Sequence, residues 1–412
     1  MTHPEAVGLS SARLARIRPA VAKYVADDKI AGVVTLVARR GEVVHLECVG
    51  QMDRENQKPM QPDAIFRIYS MTKPIICVAL MTLYEKGYFQ LPYPVSMYIP
   101  AFQDLQVYAG GEGEDVELVD LARPVTVRDL LTHTSGLTYH FLEYGPVEEM
   151  YRKAGVSSPK PLAEFVADLL KMPLAFQPGI AYRYSYAHDV VAHLIEVISG
   201  QPLDEYLQEN LFGPLGMVDT GYSVSQTKLD RFAAMYGTGD CLEPDMTATN
   251  WYADAETAGS HLIANATNSL ESGSHKVFRG GHGLVSTAQD YYRFCQMLLN
   301  GGVLGDARIL GRKTIELMTA NGLLPELLPY EIGGMYSPGY GYGLGMNVLM
   351  DLGQAQIPGS VGTFGWGGAA STGFWIDPQE QLIGVLMAQF QPSGVFPLTP
   401  NFRVAAYQAI LD

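Results

Sequence analysis

Near the N-terminus, Leu9, Leu14, Ile17, Val21 and Tyr24 recur at helical spacing and predict a helix over residues 9–26. The period then changes. Residues 32–39 and 42–49 are β-rich runs joined by Arg40-Gly41, the signature of a hairpin. Residues 75–86 are apolar nearly all round and close at Gly87, as a buried helix with a C-terminal glycine does. Helical spacing returns over 127–132, 161–170, 190–198 and 202–211, the last with Pro202 at its start. Residues 372–376 and 381–387 form a second strand pair around Asp377-Pro378-Gln379-Glu380, and 402–411 reads as a closing helix. Residues 106–120 and 243–275 read as long loops.

Both chain ends thus supply strands and a flanking helix. The simplest architecture is an α+β fold with one antiparallel sheet built from both termini. The expected division is a sheet domain from 1–80 and 285–412, with a mostly helical domain, 81–284, inserted in it. Clefts between such parts are the usual place for small-molecule sites.

Composition narrows the function classes. The chain has 412 residues, 47% of them hydrophobic and 17% charged, enough for a large core. A net charge of −15 repels phosphate backbones and anionic lipid, so neither nucleic acid nor a membrane surface is an expected partner. Cys48, Cys77, Cys241 and Cys295 are scattered, without the paired spacing of a zinc site, and read as reduced thiols. The first ten residues lack the basic-then-apolar pattern of a secretory signal, so the expected setting is cytoplasmic. No metal or cofactor is expected.

Candidate chemistry centres on Ser70-Met71-Thr72-Lys73, which opens the apolar helix. Residues three apart share a helix face, so hydroxyl and amine can meet. The helix start also favours developing negative charge. A serine hydroxyl is a poor nucleophile until a base takes its proton. A solvated lysine, with a pKa of about 10.4, cannot take it at neutral pH, but a desolvated one can. Ser-x-x-Lys also occurs at Ser157/Lys160 and Ser225/Lys228, within prolines and in a polar run; neither has an apolar helix behind it. In 182–189 the tyrosines precede a helix, where a phenol facing a cleft can relay a proton. The glycine-dense run 362–373 beside a strand allows close approach of backbone to a ligand and offers N–H groups to an oxyanion. No Gly-x-Ser-x-Gly elbow occurs, which argues against the α/β-hydrolase design.

In this order, Ser70-Met71-Thr72-Lys73, Leu130-Leu131-Thr132-His133-Thr134-Ser135-Gly136-Leu137, Tyr184-Ser185-Tyr186, Gly281-His282-Gly283 and Trp366-Gly367-Gly368 resemble the serine β-lactamase and penicillin-binding superfamily. Within it the chain is most similar to the family VIII carboxylesterases. The resemblance implies a β-lactamase-like fold and an acyl-enzyme mechanism. It implies Ser70 as nucleophile, Lys73 and Tyr184 together as general base and proton relay with the order in which they take the proton left open, and the backbone N–H groups of Ser70 and Ala369 as oxyanion hole. Two departures bear on the substrate. Trp366-Gly367-Gly368 stands where β-lactamases carry Lys-Thr-Gly, and Tyr186 stands where they carry asparagine. With Tyr186, Trp366, Gly367 and Gly368 as substrate contacts, the site tilts towards neutral small-molecule esters. The expected activity is hydrolysis of short- to medium-chain acyl esters. Acyl transfer to an alcohol, weak β-lactamase or peptidase activity and a binding-only relative are the rivals.

Overall fold

The computed structural model describes residues 1–253, 255 and 260–412. Its organising element is an eight-stranded sheet. The strands are β1 (Gly32–Arg39), β2 (Glu42–Asp53), β3 (Lys58–Pro59), β4 (Tyr340–Tyr342), β5 (Asn347–Leu349), β6 (Phe364–Gly368), β7 (Thr372–Asp377) and β8 (Leu382–Ala388), in spatial order β4-β5-β6-β7-β8-β1-β2-β3. Every neighbouring pair is antiparallel, and β1 from one chain end lies against β8 from the other. Among the described residues, 81–284 contribute no strand to it. The β1–β2 turn places Arg40 and Gly41 at φ 54° and 83°, the two left-handed positions a tight hairpin of this twist requires.

Alternation along the strands builds two cores. Val33 and Val37 face one side with Trp375, Leu382 and Leu386, and are covered by α1 (Ile17–Ala26) and its neighbour near the C-terminus, Leu398–Tyr407. Val34, Leu36 and Ala38 face the other with Phe374, Ile376, Ile383 and Val385. That side packs against α2 (Thr72–Glu85) and the rest of the helical region, including α3 (Ala187–Ser199) and α4 (Ala288–Leu299); the C-terminal helix is α5 (Leu398–Tyr407).

Three local expectations need correction. The helix expected over 9–26 is broken into Ser11–Leu14 and α1, with Ser10 capping the first piece through Arg13 N–H. The expected loop 106–120 is a hairpin in which Gln106–Gly110 pairs with Glu117–Asp120; glycines and acidic residues at its turn hide the alternation. The expected loop 243–275 holds the short helix Ala248–Tyr252 and the strand His261–Ala264, while its residues 254 and 256–259 lie outside the described residues. No described helix is long and apolar enough to cross a membrane.

Candidate active site

Ser70 sits in a single 3-10 turn, Tyr69–Met71, that runs into α2. Its predecessor Tyr69 has φ 42°, a left-handed conformation that costs a non-glycine residue about 1–3 kcal/mol. Surrounding contacts hold it there: the Tyr69 ring is buried and its hydroxyl donates to Asp240 Oδ2 at 2.9 Å.

Because α2 is buried on all sides, Lys73 is carried inward with it and is 0% exposed. Its Nζ lies 3.1 Å from Ser70 Oγ and donates to the Gly281 carbonyl at 2.7 Å. The rings of Tyr184 and Tyr139 flank it, with centroids 4.4 and 5.3 Å away. Burial lowers the Lys73 pKa to about 7, against the opposing pull of the Asp189 carboxylate. Near neutral pH this amine therefore exists partly as the free base.

Asp189 lies in the first turn of α3, fully buried. Burial pushes its carboxyl above the usual range, while Arg279, Lys73 and two backbone N–H groups act against that rise. Those N–H groups, of Gly280 and Gly281, donate to Oδ1 at 3.0 and 3.1 Å; Oδ2 has no partner. A side chain at 281 would be excluded, since a Cβ there would fall 2.5 Å from Tyr139 Oη and 2.8 Å from Asp189 Oδ2. Glycine thus lets the loop close over Lys73 and present its carbonyl.

Tyr184 is 6% exposed and lines the cleft. Burial raises its phenol above the ordinary range, and the neighbouring Ser70 hydroxyl and Trp366 side chain pull the other way. Its ring packs on His133, 4.9 Å between centroids, and His133 Nδ1 lies 3.1 Å from Ser185 Oγ. His133 is itself left-handed, at φ 56°.

Tyr186, expected to face substrate, does not line the cleft. It is 1% exposed behind Tyr139, and its hydroxyl lies 2.6 Å from His140 Nδ1. His140 Nε2 lies 3.1 Å from the Glu243 carbonyl, which can only accept. Burial lowers the His140 pKa to about 4, so the neutral ring carries its proton on Nε2 and Nδ1 accepts from Tyr186.

The opposite wall is β6. Trp366 is half-buried, Gly367 exposed and Gly368 buried. A Cβ on Gly368 would lie 2.4 Å from the Ile68 carbonyl, so this glycine allows the strand end and Ala369 to close on the segment leading into Ser70. Ser70, Tyr139, Tyr184 and residues 366–369 together line a cavity of about 570 Å³, otherwise walled by groups such as Phe141 and Trp251. No three His, Cys, Asp or Glu side chains among the described residues gather to hold a metal.

The structure thus brings Ser70, Lys73, Tyr184, Ala369 and Trp366-Gly367-Gly368 to one cleft. No role was assigned from sequence to Tyr139, Asp189 or the Gly281 carbonyl, although Asp189 and Gly281 fall within segments singled out there and Tyr139 lies two residues beyond one.

The model of the Beta-lactamase family matches residues 17–409. Esterase EstB of Burkholderia gladioli is 31% identical over 421 residues, covering 98% of each chain. Protein Rv1367c of Mycobacterium tuberculosis is 32% identical over 369 residues, 88% of this chain and 86% of that one. The solved structure of EstCE1, a hydrolase with promiscuous acyltransferase activity, is 28% identical with a TM-score of 0.78, covering 96% of this chain and 99% of that one. These findings agree with the resemblance carried by the motifs and with a β-lactamase-like fold: the chain belongs to the Beta-lactamase family.

Proposed function

We propose that this protein is a serine carboxylesterase that hydrolyses short- to medium-chain acyl esters through an acyl-enzyme on Ser70. The observation that carries the reading is Lys73: fully buried, 3.1 Å from Ser70 Oγ, with a pKa near 7, in a cleft walled by aromatic groups. EstB, by its name an esterase, supports it.

In the proposed sequence the free amine of Lys73 takes the Ser70 proton as Oγ attacks the ester carbonyl. The tetrahedral oxyanion is received by the N–H groups of Ser70 and Ala369; losing one such donor commonly costs about 2.7–4 kcal/mol of transition-state stabilisation. Tyr184 passes the proton to the departing alkoxide, the C–O bond breaks, and the alcohol leaves. Water then attacks the acyl-enzyme, giving its proton back along Tyr184 and Lys73, and Ser70 is restored as the acid departs. Trp366, Gly367 and Gly368 form the apolar substrate wall, and Tyr186 acts at one remove by fixing His140. The sheet body (1–80, 285–412) and the helical insertion (81–284) are the proposed walls of the cleft. Four unpaired cysteines support a reducing, cytoplasmic setting.

A second reading, acyl transfer to an alcohol, draws on EstCE1, described as having promiscuous acyltransferase activity. Only the acceptor differs. A burst of nitrophenol from a p-nitrophenyl ester, lost in Ser70→Ala, with a fluorophosphonate adduct mapped to the Ser70 peptide, tests the first reading. An adduct elsewhere would overturn it. A new ester on adding alcohol would favour the second.

A further inference from the structure

The cavity that holds Ser70 does not end at Trp366. β6 pairs with β5 only as far as Gly365, so its edge over residues 366–368 is open on that side. The lining of the cavity takes in residues from both faces of the sheet at this end, where Gly367 and Gly373 are register partners without side chains. Thr399 and Arg403 of α5 and Trp375 of β7 line the far end.

Among the described residues that line the cavity, Arg403 is the one side chain with a fixed charge. It is 6% exposed. Nη1 donates to Tyr340 Oη at 3.0 Å, whereas Nε and Nη2 have no hydrogen-bond partner, and neither does the nearby indole Nε1 of Trp375. The guanidinium centre lies 5.9 Å from the Trp375 ring and 5.5 Å from the Tyr407 ring. The neighbouring carboxylate, Asp377, is occupied by Ser360 N–H, the Tyr407 hydroxyl and the N–H groups of Gln379 and Glu380.

Buried guanidinium donors without partners are costly, and native proteins rarely leave them so. A guanidinium fork matches a carboxylate in two parallel hydrogen bonds. Here it holds one neutral hydrogen bond, to Tyr340, so turning the fork into the cavity breaks that bond and loosens its contacts with the Trp375 and Tyr407 rings, and frees Nε and Nη2 to meet an anion.

We propose that Arg403, with Trp375 Nε1 beside it, is a carboxylate-binding site at the far end of the cleft, and that the favoured substrates are esters bearing a free carboxylate remote from the scissile bond. This rests on the esterase reading of Ser70 and adds the class of ester to it.

The test compares p-nitrophenyl half-esters of a homologous series of α,ω-dicarboxylic acids with neutral p-nitrophenyl esters of equal length. Beyond a threshold length, set by the span from Ser70 to Arg403, the carboxylated ester is expected to have the higher kcat/KM. The carboxylated-to-neutral ratio should fall about tenfold or more in Arg403→Gln, through KM, and recover in part in Arg403→Lys. A ratio near one at every length, or one that Arg403→Gln leaves unmoved, overturns the site. Should Arg403→Gln fail to fold, calorimetric titration of the unmodified protein with octanoate and the neutral octanamide decides. Octanoate binding more tightly, with an advantage that weakens in salt, supports the site; equal binding overturns it. Failure of the esterase reading looks different: neutral esters would not turn over, while the calorimetric comparison would stand unaffected.

Discussion

Lys73→Met separates what the amine does for catalysis from what it does to stability. A lysine with an ordinary pKa of 10.5 is held here at about 7, chiefly by burial. At about 1.4 kcal/mol per pH unit, keeping this group in the fold costs about 5 kcal/mol at pH values below 7. Between pH 7 and 10.5 the unfolded chain binds the proton that the folded chain has lost. Stability therefore rises with pH across that window, and the penalty is gone above it. Methionine has a similar reach and removes the buried charge, but it strips the Gly281 carbonyl of its 2.7 Å donor, which gives back about 1–3 kcal/mol. The expected net effect near neutral pH is a gain of about 2–4 kcal/mol, together with a loss in acylation rate of about a hundredfold or more. Urea unfolding at several pH values, set beside the nitrophenol burst, measures both. The advantage of Lys73→Met should shrink as pH rises through the window. A variant less stable than its parent throughout, or a stability difference that ignores pH, would refute the burial of an uncharged amine.

Other outcomes follow from neighbouring geometry. The acid limb of kcat/KM should fall about tenfold per pH unit below about 7, because protonated Lys73 cannot accept from Ser70; a profile flat through that region would remove Lys73 as the base. Asp189→Asn takes away the carboxylate that props up the Lys73 pKa, so the same limb should move to lower pH, and an upward move would contradict the assignment. Tyr184→Phe should keep the fold, with unchanged circular dichroism, and lower kcat about a hundred- to ten-thousand-fold. Gly368→Ala places a methyl group 2.4 Å from the Ile68 carbonyl and should cost about 1–3 kcal/mol in denaturant titration as well as activity; a neutral result would mean that the β6 end is not set against the Ser70 turn.

What the residues alone disclosed was whatever depends on spacing within one element; Tyr184, Ala369 and Trp366 took their individual roles only through the resemblance of their motifs to a family. Ser70 and Lys73 are three residues apart on a helix, so their meeting is local. The terminal hairpins announce themselves through alternation, and the sheet they share follows from having strands at both ends. Asp189 was not legible. Its role beside Lys73 depends on a loop more than ninety residues away whose N–H groups it binds, and an acidic residue in a helix first turn is otherwise ordinary. Tyr186 was misplaced for the converse reason. Tyr184 and Tyr186 lie two apart on the approach to α3, and only the packing of Tyr139 over Tyr186 and the bond to His140 decides which faces the cleft.

The distribution of charge ties these observations to substrate choice. The cation set against Ser70 is Lys73, and it can shed its proton close to neutral pH because its surroundings are dry and Asp189 offsets burial only in part. A second cation at position 366 would repel that proton further, yet would also draw an anionic group towards the reacting bond. Trp366 does neither; it supplies an apolar face against Tyr184, with ring centroids 5.8 Å apart. A neutral ester can then meet Ser70 without a charge to desolvate beside the scissile bond. A carboxylate, where a substrate has one, is received instead at Arg403, around the open edge of β6. On this argument it is the distance of the anion from the ester carbonyl, more than its presence, that separates substrates from molecules the cleft refuses.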